Sequence, residues 1–214
     1  MKPYDALIFD MDGTLWDAVD SYCRVWNVTF AEMGLDNTVS RQSLVDCMGM
    51  TIGDIFSRLV NKSVDKTRFL RLLDRNEELL MPVLGGTLYP GVKEWLPALA
   101  ERYPLFMASN CGALGLINFL SYTHLSEYFT DTITYGQTLR GKDHNIRLLG
   151  RRHSLSNPIY IGDTNGDCTA AHRAGIDMMH AAYGFGTAPS AEYQAGTFQE
   201  IARFFLKKQD NNAL

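Results

Sequence analysis

A short apolar run, Ala6-Leu7-Ile8-Phe9, ends in Asp10-Met11-Asp12-Gly13-Thr14, and this junction limits the fold more than any other stretch. Four consecutive apolar residues suit a strand buried on both faces, as in a parallel sheet. A carboxylate at the carboxyl end of such a strand stands where open α/β sheets bind their ligands. Gly13 permits a sharp turn and a close backbone approach. Asp10 and Asp12 are therefore expected to share one small site. Two carboxylates that close repel each other unless a cation joins them or one takes a proton.

The rest of the chain tells what surrounds that strand. From residue 18 to 34, Val19, Tyr22, Cys23, Trp26, Phe30 and Met33 recur at helical spacing, and Gly34 is a stop. Ser40 caps a second predicted helix over 41–47. Thr51 and Asp54 form a capping-box pattern ahead of Ile55, Phe56 and Leu59. A further helix is expected from about Asp65 to Leu80. Residues 16–81 thus read as all-helical, with no convincing strand.

The stretch 82–90 holds Gly85 and Gly86 between two prolines and reads as a connector. Beyond it helices and strands alternate. Helices are expected over 92–102, with Pro97 as a kink, and over 113–122, 142–152, 164–174 and 198–205. Strands are expected over 105–108, 130–135, 158–161 and 178–182. The polar end from Lys207 is expected to fray. Such alternation implies a parallel sheet covered on both faces. The expectation is an α/β, Rossmann-like three-layer core formed by residues 1–15 and 82–214. A small all-helical cap, residues 16–81, is inserted after the first strand.

Three strand ends carry polar residues: Asp10 with Asp12, Ser109 with Asn110, and Asp163 with Asp167 just beyond. Parallel strands point the same way, so these groups gather at one sheet edge. Their acids call for a hard divalent cation, and oxygen ligands favour Mg²⁺ over zinc. Ser109 offers a hydrogen-bond donor, amides at the next helix start can hold an anion, and Lys142 adds a positive charge after Gly141. A phosphate ester suits that combination better than a neutral substrate.

Asp10-Met11-Asp12-Gly13-Thr14 resembles the DxDGT motif of the haloacid dehalogenase-like superfamily of aspartate-nucleophile phosphohydrolases. Ser109-Asn110, Lys142 and Gly162-Asp163-Thr164-Asn165-Gly166-Asp167 resemble its second, third and fourth motifs, in the family's order and spacing. The likeness covers nearly the whole chain, and the helical insert resembles the cap of phosphoglycolate phosphatase-like members.

The resemblance implies that Asp10 is the nucleophile and Asp12 the general acid and base. It further implies that Asp10, Asp163 and Asp167 hold Mg²⁺, with Asp12 adding its backbone carbonyl rather than its side chain. Ser109, the amide of Asn110 and Lys142 are implied to bind the phosphate. The acid at Asp12 speaks against a dehalogenase or a phosphonate hydrolase. One departure is Asp143, where many relatives carry proline after the lysine. A phosphomutase and a non-enzymatic phospho-acceptor domain are the alternatives. The 48–51 loop is expected to reach over the site, and the connectors near Trp16 and over 82–90 are the expected hinges.

Composition narrows the partners. A net charge of -4 with no basic stripe argues against nucleic acid. The longest apolar runs are too short for a membrane span. The first strand starts too near Met1 for a signal peptide. Four scattered cysteines suit a reducing cytoplasm. The expected substrate is a small phosphorylated metabolite, and the expected state is a monomer or homodimer.

Overall fold

A computed structural model describes residues 3–210, without the side chains of 208–210. In chain order the elements are β1 (Ala6–Phe9), β2 (Trp16–Asp17), α1 (Val19–Glu32), α2 (Arg41–Val45), α3 (Ile52–Leu59), α4 (Lys66–Leu84) and β3 (Thr87–Leu88). There follow α5 (Val92–Ala100), β4 (Leu105–Ser109), α6 (Ala113–Thr123), β5 (Asp131–Thr134), α7 (Tyr135–Thr138) and α8 (Lys142–Arg152). The chain continues through β6 (Pro158–Gly162), α9 (Asn165–Ala174), β7 (Asp177–Ala181), β8 (Tyr193–Ala195) and α10 (Phe198–Asp210).

Six strands form one sheet in the order β5-β4-β1-β6-β7-β8, and every pairing in it is parallel. Strand β1 lies between β4 and β6, so three of the polar strand ends are neighbours. Alternation along β1 splits the core in two. Leu7 and Phe9 face α5, α6 and α10 through Leu96, Phe119, Phe198 and Phe205. Ala6 and Ile8 face α8 and α9 through Ile146, Leu149 and Ala171. This is the expected α/β core with a parallel sheet between helical layers.

The helical segment α1–α4 follows β1 and β2. Three of its four helices carry a side-chain cap, at Ser40 and Thr51 as expected and at Asp65 besides. Ser40 and Ser43 form a reciprocal capping box at α2, Thr51 caps α3 and Asp65 caps α4. Trp26, Phe30, Phe56 and Phe69 pack ring to ring inside it, with centroids 5.2–6.1 Å apart.

Several details differ from the sequence reading. Trp16–Asp17 is a strand, paired antiparallel with Thr87–Leu88. Helix α4 does not stop at Pro82 but runs on to Leu84, because a proline in the last turn removes only one hydrogen bond there. Strand β8 and the short α7 were not expected. Helix α10 extends through Asp210; the rest of the expected frayed end, 211–214, lies outside the described residues. Among the described residues, no helix is long and apolar enough to cross a membrane.

Candidate active site

The chain leaves β1 through a tight turn. The Met11 carbonyl accepts from the Leu15 amide at 2.9 Å, and the Gly13 amide donates to the Trp16 carbonyl at 2.9 Å. Gly13 has φ +81°, and a Cβ there would lie 2.1 Å from Asp163 Oδ2. Only glycine fits, because the Asp163 carboxylate occupies the space a side chain needs. Gly184 is confined in the same way: a Cβ would stand 2.3 Å from the Gly13 carbonyl oxygen and from Asp163 Cβ.

Asp10, Asp163 and Asp167 converge at the carboxyl ends of β1 and β6, with one carboxylate oxygen from each within 4.8 Å of the others. All three are buried, Asp163 completely. Lys142, at the start of α8, reaches in from the side. Its Nζ lies 2.9 Å from Asp10 Oδ2 and 2.5 Å from Asp167 Oδ1, and it is 4% exposed. Burial works against the lysine's charge, but Asp10 and Asp167 outweigh it and raise its pKa well above the usual value. Burial raises the Asp10 carboxyl, which Lys142 counters in part. Burial, Asp167 and Asp10 together raise Asp163. One ammonium is thus too little charge for three acids.

Two oxygens show where more positive charge belongs. Asp10 Oδ1 and Asp163 Oδ1 are buried with no hydrogen-bond partner among the described residues. Orphaned carboxylate oxygens in such a cluster fit a hard cation of the Mg²⁺ type. The remaining oxygens are held in place. Asp167 Oδ2 accepts from Thr164 Oγ1 at 2.7 Å and from the Thr164 amide at 3.0 Å. Asp163 Oδ2 accepts from the Phe185 amide at 2.8 Å.

Asp12 stands apart from this group. Its Oδ1 accepts from Trp16 Nε1 at 3.0 Å, and it lines a cleft between the sheet edge and the helical segment. Burial and the nearby Asp10 push its carboxyl up to about 7. Ser109 is buried at the end of β4, and its Oγ accepts from the Cys111 amide at 3.2 Å. The Asn110 side chain turns the other way: its Nδ2 donates to the Gly49 carbonyl at 2.8 Å. That bond seats the 48–51 loop on the strand end. Arg140 is exposed, whereas Lys142 is inside. Asp143 pairs with Arg147 one turn along α8 at 2.5 Å and leaves the lysine in place.

Sequence reasoning missed the 183–185 loop after β7. Besides the Phe185 amide, Tyr183 Oη donates to the Thr14 carbonyl at 2.8 Å. Gly184 and Gly186 were the available signal, since paired glycines after a strand mark close backbone approach. It also missed Tyr22, Asp74 and Glu77, which line the cleft from α1 and α4.

The family model of haloacid dehalogenase-like hydrolases matches residues 7–181. The chain therefore belongs to that family and is an enzyme of the hydrolase class. It is 29% identical over 198 residues to a phosphoglycolate phosphatase of Rhodobacter capsulatus, covering 86% of this chain and 87% of the relative. To the phosphoglycolate phosphatase of Aquifex aeolicus it is 28% identical over 190 residues, with 84% and 85% covered. The crystal structure of a predicted phosphoglycolate phosphatase from Haemophilus somnus 129pt superposes with a TM-score of 0.84 at 21% identity. It covers 95% of this chain and 99% of that one. A predicted phosphatase from Clostridium acetobutylicum gives 0.83 at 20% identity, covering 96% and 100%. These structural likenesses bear on the fold.

Proposed function

We propose that the protein is a Mg²⁺-dependent phosphatase that hydrolyses a small phosphate monoester through an aspartyl-phosphate on Asp10. The separation of Asp10 from Asp12 carries this reading. Two carboxyls two residues apart occupy different environments, one in the acid cluster beside Lys142 and one against Trp16 facing the cleft. Such a split suits one nucleophile and one acid/base. The relatives' shared name, phosphoglycolate phosphatase, supports a small phosphorylated metabolite as substrate.

In the first step an Asp10 carboxylate oxygen bonds to phosphorus as the bond to the leaving oxygen breaks, and Asp12 hands that oxygen a proton. A carboxyl raised to about 7 carries that proton near neutrality. In the second step Asp12 takes a proton from water as the water displaces Asp10 from phosphorus. Lys142 offsets charge on the phosphoryl oxygens, while Ser109 and the Asn110 amide hold the group in position. Asp10, Asp163, Asp167 and the Asp12 carbonyl would hold magnesium, which supplies further charge stabilisation when bound.

Residues 16–81 act as the cap over a core of 1–15 and 82–214, and the paired β2–β3 connectors act as its hinge. We place the enzyme in the cytoplasm, where its four free cysteines stay reduced. The test is phosphate release from p-nitrophenyl phosphate with magnesium. Asp10→Asn is expected to abolish it, and Asp12→Asn to slow it by about 10²–10⁴-fold. Activity surviving in Asp10→Asn overturns the covalent route. Isomerisation of a sugar phosphate without phosphate release identifies a mutase instead.

A further inference from the structure

The cleft beside Asp12 encloses about 740 Å³ of non-atom space, part of it open to solvent. The part of it that a water-sized group can occupy is about 100 Å³, which gives room for a small leaving group. Tyr22 and Trp26, four residues apart on α1, put two aromatic side chains on its wall, and Asp74 and Glu77, three apart on α4, put two carboxyls there. No lysine, arginine or histidine is among the described residues that line it. Neither Asp74 nor Glu77 has a hydrogen bond or ion pair among the described residues. Asp74 lies exposed at the rim, and Glu77 is half-buried.

The placement of these acids is fixed by packing. Asn76 Nδ2, between them on α4, donates to Thr29 Oγ1 on α1 at 3.0 Å, and Arg75 pairs with Glu32. These contacts set the rotation of α4 against α1 and so place position 77 on the side of the cleft.

We propose that the cleft selects phosphate monoesters whose leaving alcohol carries an ammonium group, held by Glu77 and Asp74 beside Tyr22. This rests on the phosphatase reading and names the substrate class of the same site. A cation gains from both wall types, from the carboxylates directly and from the aromatic rings through their quadrupoles. A leaving group with a carboxylate, as in carboxymethyl phosphate, finds no compensating cation on this wall. Burial, with Asp74 and Asp12, pushes the Glu77 carboxyl up to about 8. Near neutrality this group therefore keeps a proton, and an incoming ammonium supplies positive charge in its place.

The experiment compares kcat/KM for 2-aminoethyl, 2-hydroxyethyl and carboxymethyl phosphate, with p-nitrophenyl phosphate as a generic ester, all with magnesium. The aminoethyl ester is expected to exceed the carboxymethyl ester by about tenfold or more. Glu77→Gln is expected to shrink that ratio by about tenfold, and the double change with Asp74→Asn to shrink it further. Glu78→Gln, on the exposed side of the same helix, is expected to leave the ratio where it was. Equal or faster turnover of the carboxymethyl or hydroxyethyl ester by the unaltered enzyme overturns the inference, as does a ratio that Glu77→Gln does not move. Those results leave the phosphatase reading standing, provided p-nitrophenyl phosphate is hydrolysed. No turnover of any ester overturns both.

Discussion

Lys142 is the residue on which the acid cluster depends most. Its ammonium touches Asp10 and Asp167 in a site with almost no water access. Removing it leaves two buried carboxylates facing each other. Breaking a buried pair costs about 3–5 kcal/mol, so Lys142→Met is expected to lower the melting temperature by about 10 °C in chelator. It should also slow phosphate release by about 10²-fold or more. Calorimetry and steady-state rates check both.

Glu77 works the other way. Its folded pKa of about 8 lies above the ordinary 4.5. Below pH 4.5 the group is protonated in both states and costs nothing. Between 4.5 and 8 the folded state keeps a proton that the unfolded state has released, so stability falls as pH rises and the loss is complete above 8. Glu77→Gln is therefore expected to leave stability unchanged near pH 4.5. At pH 8.5 it should raise stability by about 1–2 kcal/mol, a figure reduced for the solvent in the cleft. Denaturant titrations at the two pH values test this. The clustering of Asp10, Asp163 and Asp167 was legible because motif spacing at strand ends marks them. Glu77 was not, because nothing in Asp74-Arg75-Asn76-Glu77 tells which turn of α4 faces the cleft.

Among the elements, α4 and the β2–β3 ribbon join the helical segment to the sheet. Helix α4 packs on α1 through Phe69, Leu73 and Met81, all fully buried. Asn76 locks its register by bonding Thr29 and Glu32. Asn76→Ala removes those bonds from a buried position and is expected to cost about 1–3 kcal/mol, read from the urea midpoint. Helix starts were legible from the caps Ser40 and Thr51, since caps are local chemistry; Asp65 and Thr164 cap α4 and α9 in the same way. Helix α8 begins and ends at Lys142 and Arg152 as expected. The ribbon was not legible, because Trp16–Asp17 pairs with Thr87–Leu88 across about seventy residues, and two-residue strands have no periodicity. The overrun at Pro82 shows the same limit: a breaker in the sequence marks where a helix can end, and here the helix runs past it to the cap at Gly85, φ +59°.

For the whole molecule, the strand order puts β1 in the middle, with β4 and β6 on either side. That topology turns three distant sequence segments into one site. A cation that binds only the folded cluster stabilises the whole molecule by mass action. At a hundredfold excess over its dissociation constant, Mg²⁺ is expected to add about 2.7 kcal/mol and to raise the melting temperature by about 5–10 °C. Chelator should reverse the shift, and an unchanged transition at saturating magnesium would contradict the metal site. The sequence by itself determined the alternating α/β pattern, the helical segment after β1, and the acidic strand ends with their turn glycine. These are short-range properties, written in hydrophobic period, caps and motif spacing. Only the tertiary structure decided that Lys142 sits between Asp10 and Asp167, and that the 183–185 loop pins Asp163. It alone also decided that α1 and α4 present rings and acids to one cleft. Each of these depends on contacts between residues far apart in the chain, whose partners are chosen by packing rather than by neighbouring sequence.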